Sequence, residues 1–155
     1  MITVQSLAVD LNNGVVETLK KAALSTAEDK QTWKPLDEGR SALDQIAECA
    51  LITDFAAKML IEKACPEFSN EAYGAGIAAL DTMDKAIAAL DASWANLKSV
   101  ILDFPTEDLE KSIMLPWFPD PQTFANIMFI ALWNNTYHIG QINYIQTLYG
   151  DKEMH

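Results

Sequence analysis

Residues Gly76 to Leu102 read GIAALDTMDKAIAALDASWANLKSVIL. Within them Leu80, Met83, Ile87, Leu90, Trp94, Leu97 and Ile101 recur at intervals of three and four residues. That spacing lines one side of an α-helix with apolar groups. The seam holds over three heptads without a break, as helices packed side by side in an antiparallel bundle require. The stretch therefore predicts one long helix, and its neighbours must supply the surface it packs on.

Three further helices are predicted around it. The first spans about Thr3 to Ala23, with Val4, Leu7, Leu11, Val15 and Ala22 on its apolar side. A turn-like stretch from Ser25 to Gly39 follows, and Pro35 ends any helical reading there. The second helix begins at Ser41, a natural N-cap, and runs to about Ala64 before Pro66. It has two apolar faces: Ile46, Ala50, Thr53, Ala57 and Leu60 on one, Ile52, Phe55 and Met59 on the other. A helix apolar on two sides is buried on two sides, which predicts bundle core on one and a second packing surface on the other. After a proline-bearing connector from Asp103 to Asp120, the last helix is expected from Pro121 to Tyr149, with Gly150 as its stop. No strand alternation stands out. The expectation is an all-α four-helix bundle: one domain over residues 1–150 and a frayed tail over 151–155.

The chain has 155 residues, enough for one core, and half of them are apolar. Eleven basic residues against 22 acidic ones leave a net charge of −11. That argues against a nucleic-acid backbone or an anionic membrane surface as partner. No apolar run reaches the length of a spanning helix. The opening MITVQSLAVDLNNG lacks the basic start and apolar core of a signal peptide, so a cytoplasmic location is expected. Cys49 and Cys65 lie 16 residues apart on one predicted helix, roughly 24 Å along its axis, too far for a disulfide. They read as free thiols.

The last helix carries the polar residues of interest. Ile127, Ala131, Asn134, His138, Ile142 and Ile145 fall on one stripe, with Gln141 beside it. Buried polar groups need partners. The second helix offers Glu48, on the face of Ile52, Phe55 and Met59. A Glu facing a His and an Asn makes either a hydrogen-bonded core network or a set of metal ligands. Asn134 and His138 stand four apart, the spacing by which one helix offers two ligands to one ion. Amide oxygen is a feeble ligand for a transition metal, so spacing alone favours the network. The chain has only two histidines, too few for a carboxylate-bridged di-iron bundle. No nucleophile elbow or phosphate-cradling glycine loop is present.

The order of these features resembles the DinB/YfiT-like superfamily of small helical bundles, described as metal-dependent enzymes. The resemblance rests on Trp33-Lys-Pro35 leading into Ser41 to Ala50, on Leu115-Pro-Trp117, and on Leu132 to Ile142 with its His138-Ile-Gly-Gln-Ile142 segment. It covers nearly the whole chain. It implies one divalent metal ion (nickel, zinc or manganese) at three positions that are histidines in the family. Those positions here are Glu48, Asn134 and His138, so two of three imidazoles are replaced by oxygen donors. The replacements leave three outcomes open: a different metal, weak binding, or a site without metal.

The resemblance also implies a homodimer joined through a helical face and a small-molecule substrate. Its characterised members include metal-dependent thiol-cofactor transferases and isomerases. The alternative is a metal-free member that binds a small molecule or serves as a structural dimer, with Glu48 and His138 paired to each other. Trp33 and Trp117 read first as aromatic core filling and second as a pocket mouth.

Overall fold

The computed structural model describes residues 1–153 and 155. Six α-helices appear among them: α1 (Val4–Leu24), α2 (Ala42–Glu62), α3 (Asn70–Ala79), α4 (Met83–Asp103), α5 (Phe124–Ile127) and α6 (Ile130–Leu148). The long ones, α1, α2, α4 and α6, form the bundle. The first two start where the sequence supplies reciprocal caps: Thr3 with Ser6, and Ser41 with Asp44. The helix α2 closes at Lys63 in the left-handed region, φ 52°. The Lys63 ammonium rests on Asp108, which also holds Lys111, so the end of α2 is tied to the connector after α4.

The expected third helix is two helices. Leu80 leaves helical geometry at ψ 56°, and Thr82 caps α4 by accepting the Lys85 N–H through its hydroxyl. From Met83 onward the seam holds: Met83, Leu90, Trp94, Leu97 and Ile101 are buried. The seam ran through the break because Leu80 keeps its phase and stays half-buried.

The expected last helix from Pro121 is also divided. Gln122–Thr123 pair antiparallel with Ser112–Ile113, a ribbon too short to show alternation in sequence. Thr123 then caps α5, and the chain breaks at Met128–Phe129 before α6 begins. Met128 O, facing inward at this break, accepts a hydrogen bond from Asn12 Nδ2 at 3.1 Å.

That bond explains a reversal on α1. Val4, Leu7 and Leu11, expected inside, are exposed and Val15 is half-buried; of the expected face Ala22 is buried, together with Gln5, Ala8, Val9, Asn12, Val16, Leu19 and Ala23. Gln5 and Asn12 are buried because each satisfies a carbonyl at the end of another helix. Gln5 Nε2 reaches Phe104 O, at the end of α4, at 3.1 Å, and Asn12 reaches Met128 O. On α6, Gln146 Nε2 reaches back to Ala22 O at 2.9 Å. The pairs 12–128 and 22–146 show that α1 and α6 run parallel. In the tail, Asp151 accepts from the Glu153 N–H and faces His155 Nε2 at 2.8 Å; Met154 lies outside the described residues. No helix among the described residues is long and apolar enough to cross a membrane.

Asn12→Ala removes the partner of a buried carbonyl at the α5–α6 break. Urea unfolding should show a loss of about 1–3 kcal/mol. An unchanged midpoint would show that Met128 O is satisfied without Asn12.

Candidate functional site

Capping at Ser41 starts α2 so that Gln45 and Glu48, three residues apart, point to the same side. Across from them α6 presents His138, which is fully buried. Its Nε2 lies 3.2 Å from Glu48 Oε1 and its Nδ1 lies 2.9 Å from Gln45 Oε1. A carboxylate only accepts, so Nε2 carries the hydrogen of the first bond. Gln45 can serve Nδ1 in either role, accepting with its oxygen or, turned over, donating with its NH2.

The other carboxylate oxygen of Glu48 is also occupied. Tyr73 of α3 donates its hydroxyl to Oε2 at 2.9 Å, and the Arg40 guanidinium pairs with the same oxygen. Burial alone would push the Glu48 pKa up. The hydrogen bonds from His138, Arg40 and Tyr73 outweigh it and hold the pKa down at about 2, against an ordinary 4.5. The same contact works the other way on Tyr73, whose pKa is pushed up to about 12 by burial and by its bond to Glu48.

Cys49 follows Glu48 on α2 and is fully buried. Burial, with the Glu48 charge beside it, drives its thiol pKa far up, so the sulfur stays protonated. Asn134, one turn before His138 on α6, donates Nδ2 toward that sulfur at 3.8 Å. The contacts 49–134 and 45–138 run in opposite directions, so α2 and α6 are antiparallel.

A cavity of about 980 Å³ adjoins this cluster. Its wall includes Ile52, Phe55, Phe68, Tyr73, Trp117 and Asn134. Glu48 and His138 are not in the wall. Tyr73, through Glu48, and Asn134, through Cys49, each join the cavity to the cluster. The second apolar face of α2 thus lines a cavity as well as packing: Met59 is fully buried, and Phe55 rests against Phe68 and Trp117. Trp117 is half exposed and sits 6.0 Å from Phe55, so it belongs to the cavity and not to the core. Trp33 packs edge-on against Tyr149 at 6.1 Å. Gln141 is half-buried beside the stripe, and its Oε1 finds no protein partner.

The structure therefore brings Glu48 and His138 into contact and turns the Asn134 NH2 toward Cys49. Two ligands of one ion stand roughly 3.0–3.4 Å apart for bonds of about 2.1 Å, and the Glu48–His138 distance of 3.2 Å agrees. The charges do not. Glu48 brings the cluster's one negative charge, and a guanidinium already faces it. Cys49 is neutral. An ion at the Glu48–His138 contact would meet the guanidinium's positive charge and would have to displace the hydrogen that His138 Nε2 donates. No three His, Cys, Asp or Glu side chains among the described residues stand together as ligands. As arranged, the donor set does not fit a tightly held divalent ion.

Three members of the cluster escape a reading of the sequence. Arg40 precedes the α2 N-cap, and Gln45 lies one turn before Glu48, so both were near a recognised residue. Tyr73 gave no signal, because α3 itself was not recognised.

Four long helices with two short ones, a short ribbon in the last connection and an inward Glu–His pair define a bundle of a particular class. The family model of the DinB superfamily matches residues 14–142, and the chain belongs to that superfamily. Among solved structures it is similar to YfiT from Bacillus subtilis, described as a probable metal-dependent hydrolase with an unusual four-helix bundle topology. The TM-score is 0.73 at 15% identity, over 94% of this chain and 87% of that one. It is also similar to a mycothiol-dependent maleylpyruvate isomerase, with a TM-score of 0.68 at 13% identity, over 94% of this chain and 68% of that one. No curated protein matches the chain.

The depressed Glu48 pKa has a pH signature. The ionised carboxylate adds stability that is complete above the unfolded-state value near 4.5 and is lost as pH falls toward 2. Wild type should lose roughly 2–3 kcal/mol more than Glu48→Gln between those limits, measured by urea unfolding against pH. Parallel curves would show that Glu48 is not held ionised by the fold. At neutral pH, His138→Ala leaves a cavity and removes one donor from the carboxylate, at a cost on the order of 3 kcal/mol. A variant as stable as wild type would mean that the pair does not hold α2 to α6.

Proposed function

We propose that this DinB superfamily chain binds an apolar small molecule in the 980 Å³ cavity, above a polar cluster that works without a metal ion. One observation carries the reading. Both ring nitrogens of His138 and both carboxylate oxygens of Glu48 already have protein partners, while the cavity beside them is walled largely by aromatic and aliphatic side chains. The volume suits a small organic ligand. The cluster's part is to hold Tyr73 and Asn134, two of the polar groups in the cavity wall.

A second reading draws on the 3.2 Å spacing of Glu48 and His138 and on what the two neighbouring structures are described as doing. In it Glu48, Asn134 and His138 hold a divalent ion, and the chain is a metal-dependent thiol-cofactor transferase or isomerase. Lewis-acid activation of a thiol is the chemistry such an ion supplies. A homodimer goes with either reading. The exposed stripe of Trp133, Tyr137 and Tyr144 on α6 is the surface we assign to it, with Trp133 and Tyr137 stacked at 6.1 Å.

Elemental analysis after dialysis against nickel, zinc and manganese separates the two. The metal-free reading expects wild type to hold no more metal than a Glu48→Ala/His138→Ala variant. It also expects a neutral apolar dye such as Nile red to bind wild type and to lose affinity in Trp117→Ala. About one ion per wild-type chain, lost in the double variant, would overturn it in favour of the second reading. Light scattering checks the dimer: twice the 17.2 kDa chain mass supports it and a monomer refutes it.

A further inference from the structure

We infer that the cavity selects a lipophilic organic cation, an ammonium group carried on an apolar body, over neutral and anionic molecules of the same shape. The inference rests on the cavity being a binding site and adds the charge of its ligand.

The aromatic wall is built of tilted and edge-on rings rather than of a stack. The ring planes of Phe55 and Phe68 stand at 89°, with centroids 6.4 Å apart, and those of Phe55 and Trp117 at 50° and 6.0 Å. Phe68 in turn lies 5.9 Å from Tyr73. Rings of differing tilt thus border the one cavity. Aromatic faces attract cations through the ring quadrupole, and quaternary ammonium groups are recognised in this way.

The charges around the cavity point the same way. Its wall carries two carboxylates, Asp54 and Glu67, and one ammonium, Lys58. Lys58 is paired with Asp54 at 2.8 Å, one turn apart on α2. Glu67 enters none of the ion pairs among the described residues. An anion entering the cavity would meet a carboxylate and find no uncommitted cation. A cation would meet aromatic faces and the free carboxylate of Glu67. The chain's charge of −11 raises the local concentration of cations and lowers that of anions. A lone exposed carboxylate selects nothing, and an aromatic pocket alone takes any apolar body. Both line the one cavity, and their presence there together gives the selection its sign.

The test uses three probes that share a benzyl group, the first two of one shape. Benzyltrimethylammonium is the cation, neopentylbenzene its neutral carbon isostere, and phenylacetate an anion. Each is titrated against the full chain, by quenching of tryptophan fluorescence and by displacement of Nile red. The cation should bind about tenfold more tightly than neopentylbenzene and should weaken as salt is raised. Phenylacetate should bind least. Glu67→Gln should weaken the cation about threefold and leave neopentylbenzene unchanged; Trp117→Ala should weaken the cation about tenfold. Equal binding of cation and isostere, or tighter binding of phenylacetate, overturns the inference while leaving the cavity as a binding site. Failure of all three probes together with Nile red removes both.

Discussion

The carboxylate of Glu48 is the constraint on which the arrangement of the site depends. A charge in a half-buried position has to be met by donors, and here they come from three places in the chain. Arg40 approaches from the turn before α2, Tyr73 from α3 and His138 from α6. Meeting that demand fixes more than one side chain. It sets the register of α2 against α6, with Gln45 and Glu48 opposite His138 and Cys49 opposite Asn134. It also holds α3, which buries no residue of its own. The helix α3 rests on α2 through Tyr73 on Glu48 and through Gly76, where a Cβ would come within 3.0 Å of Leu51. Because Tyr73 is part of the cavity wall, the shape of an apolar cavity is tied to a charge outside it.

The same logic holds elsewhere in the bundle. Gln5, Asn12 and Gln146 are amides buried among apolar neighbours, and each donates to a main-chain carbonyl on another segment. Phe104 O belongs to the cap of α4, Met128 O to the break before α6 and Ala22 O to the last turn of α1. Such carbonyls lack a full helical partner set or lie where helices meet, and a side-chain amide can satisfy them across the interface. The helix breaks and the buried amides are therefore one feature. A sequence reading that places polar residues outside and leucines inside misses both, and on α1 it chose Val4, Leu7 and Leu11 over the true face. The choice failed because each amide's burial depends on a carbonyl 99 to 124 residues away.

What could be read from the sequence follows from how local each signal is. The starts of α1 and α2 were legible because Thr3 and Ser41 cap within four residues. The α4 seam was legible because its period is local, whereas the break at Leu80 was masked by a leucine that kept the period. On α6 the positions of Asn134 and His138 followed from the helical stripe, Glu48 followed from the α2 face of Ile52, Phe55 and Met59, and the family resemblance points to the same three positions. The partners that define the site's charge, Arg40 and Tyr73, reach it from a turn and from a short helix without a strong apolar face. Their roles come from tertiary placement alone.

That placement limits what similarity of fold carries over. At 13–15% identity the bundle is shared, and chemistry has to be argued from the site. Three imidazoles, the set that the family resemblance implies, form a neutral cluster to which an ion adds the charge. Exchanging one imidazole for a carboxylate changes the balance: the cluster now contains its own anion, and Arg40 supplies a cation from within the chain. The guanidinium cannot leave or act as a Lewis acid, and its five donors match a carboxylate. A cluster completed in this way is suited to holding geometry. The walls it holds, Tyr73 and Asn134, border a space lined by aromatic rings and the unpaired Glu67, so on the reading proposed above the place where the charge is balanced and the place that would select a ligand are adjacent and separate.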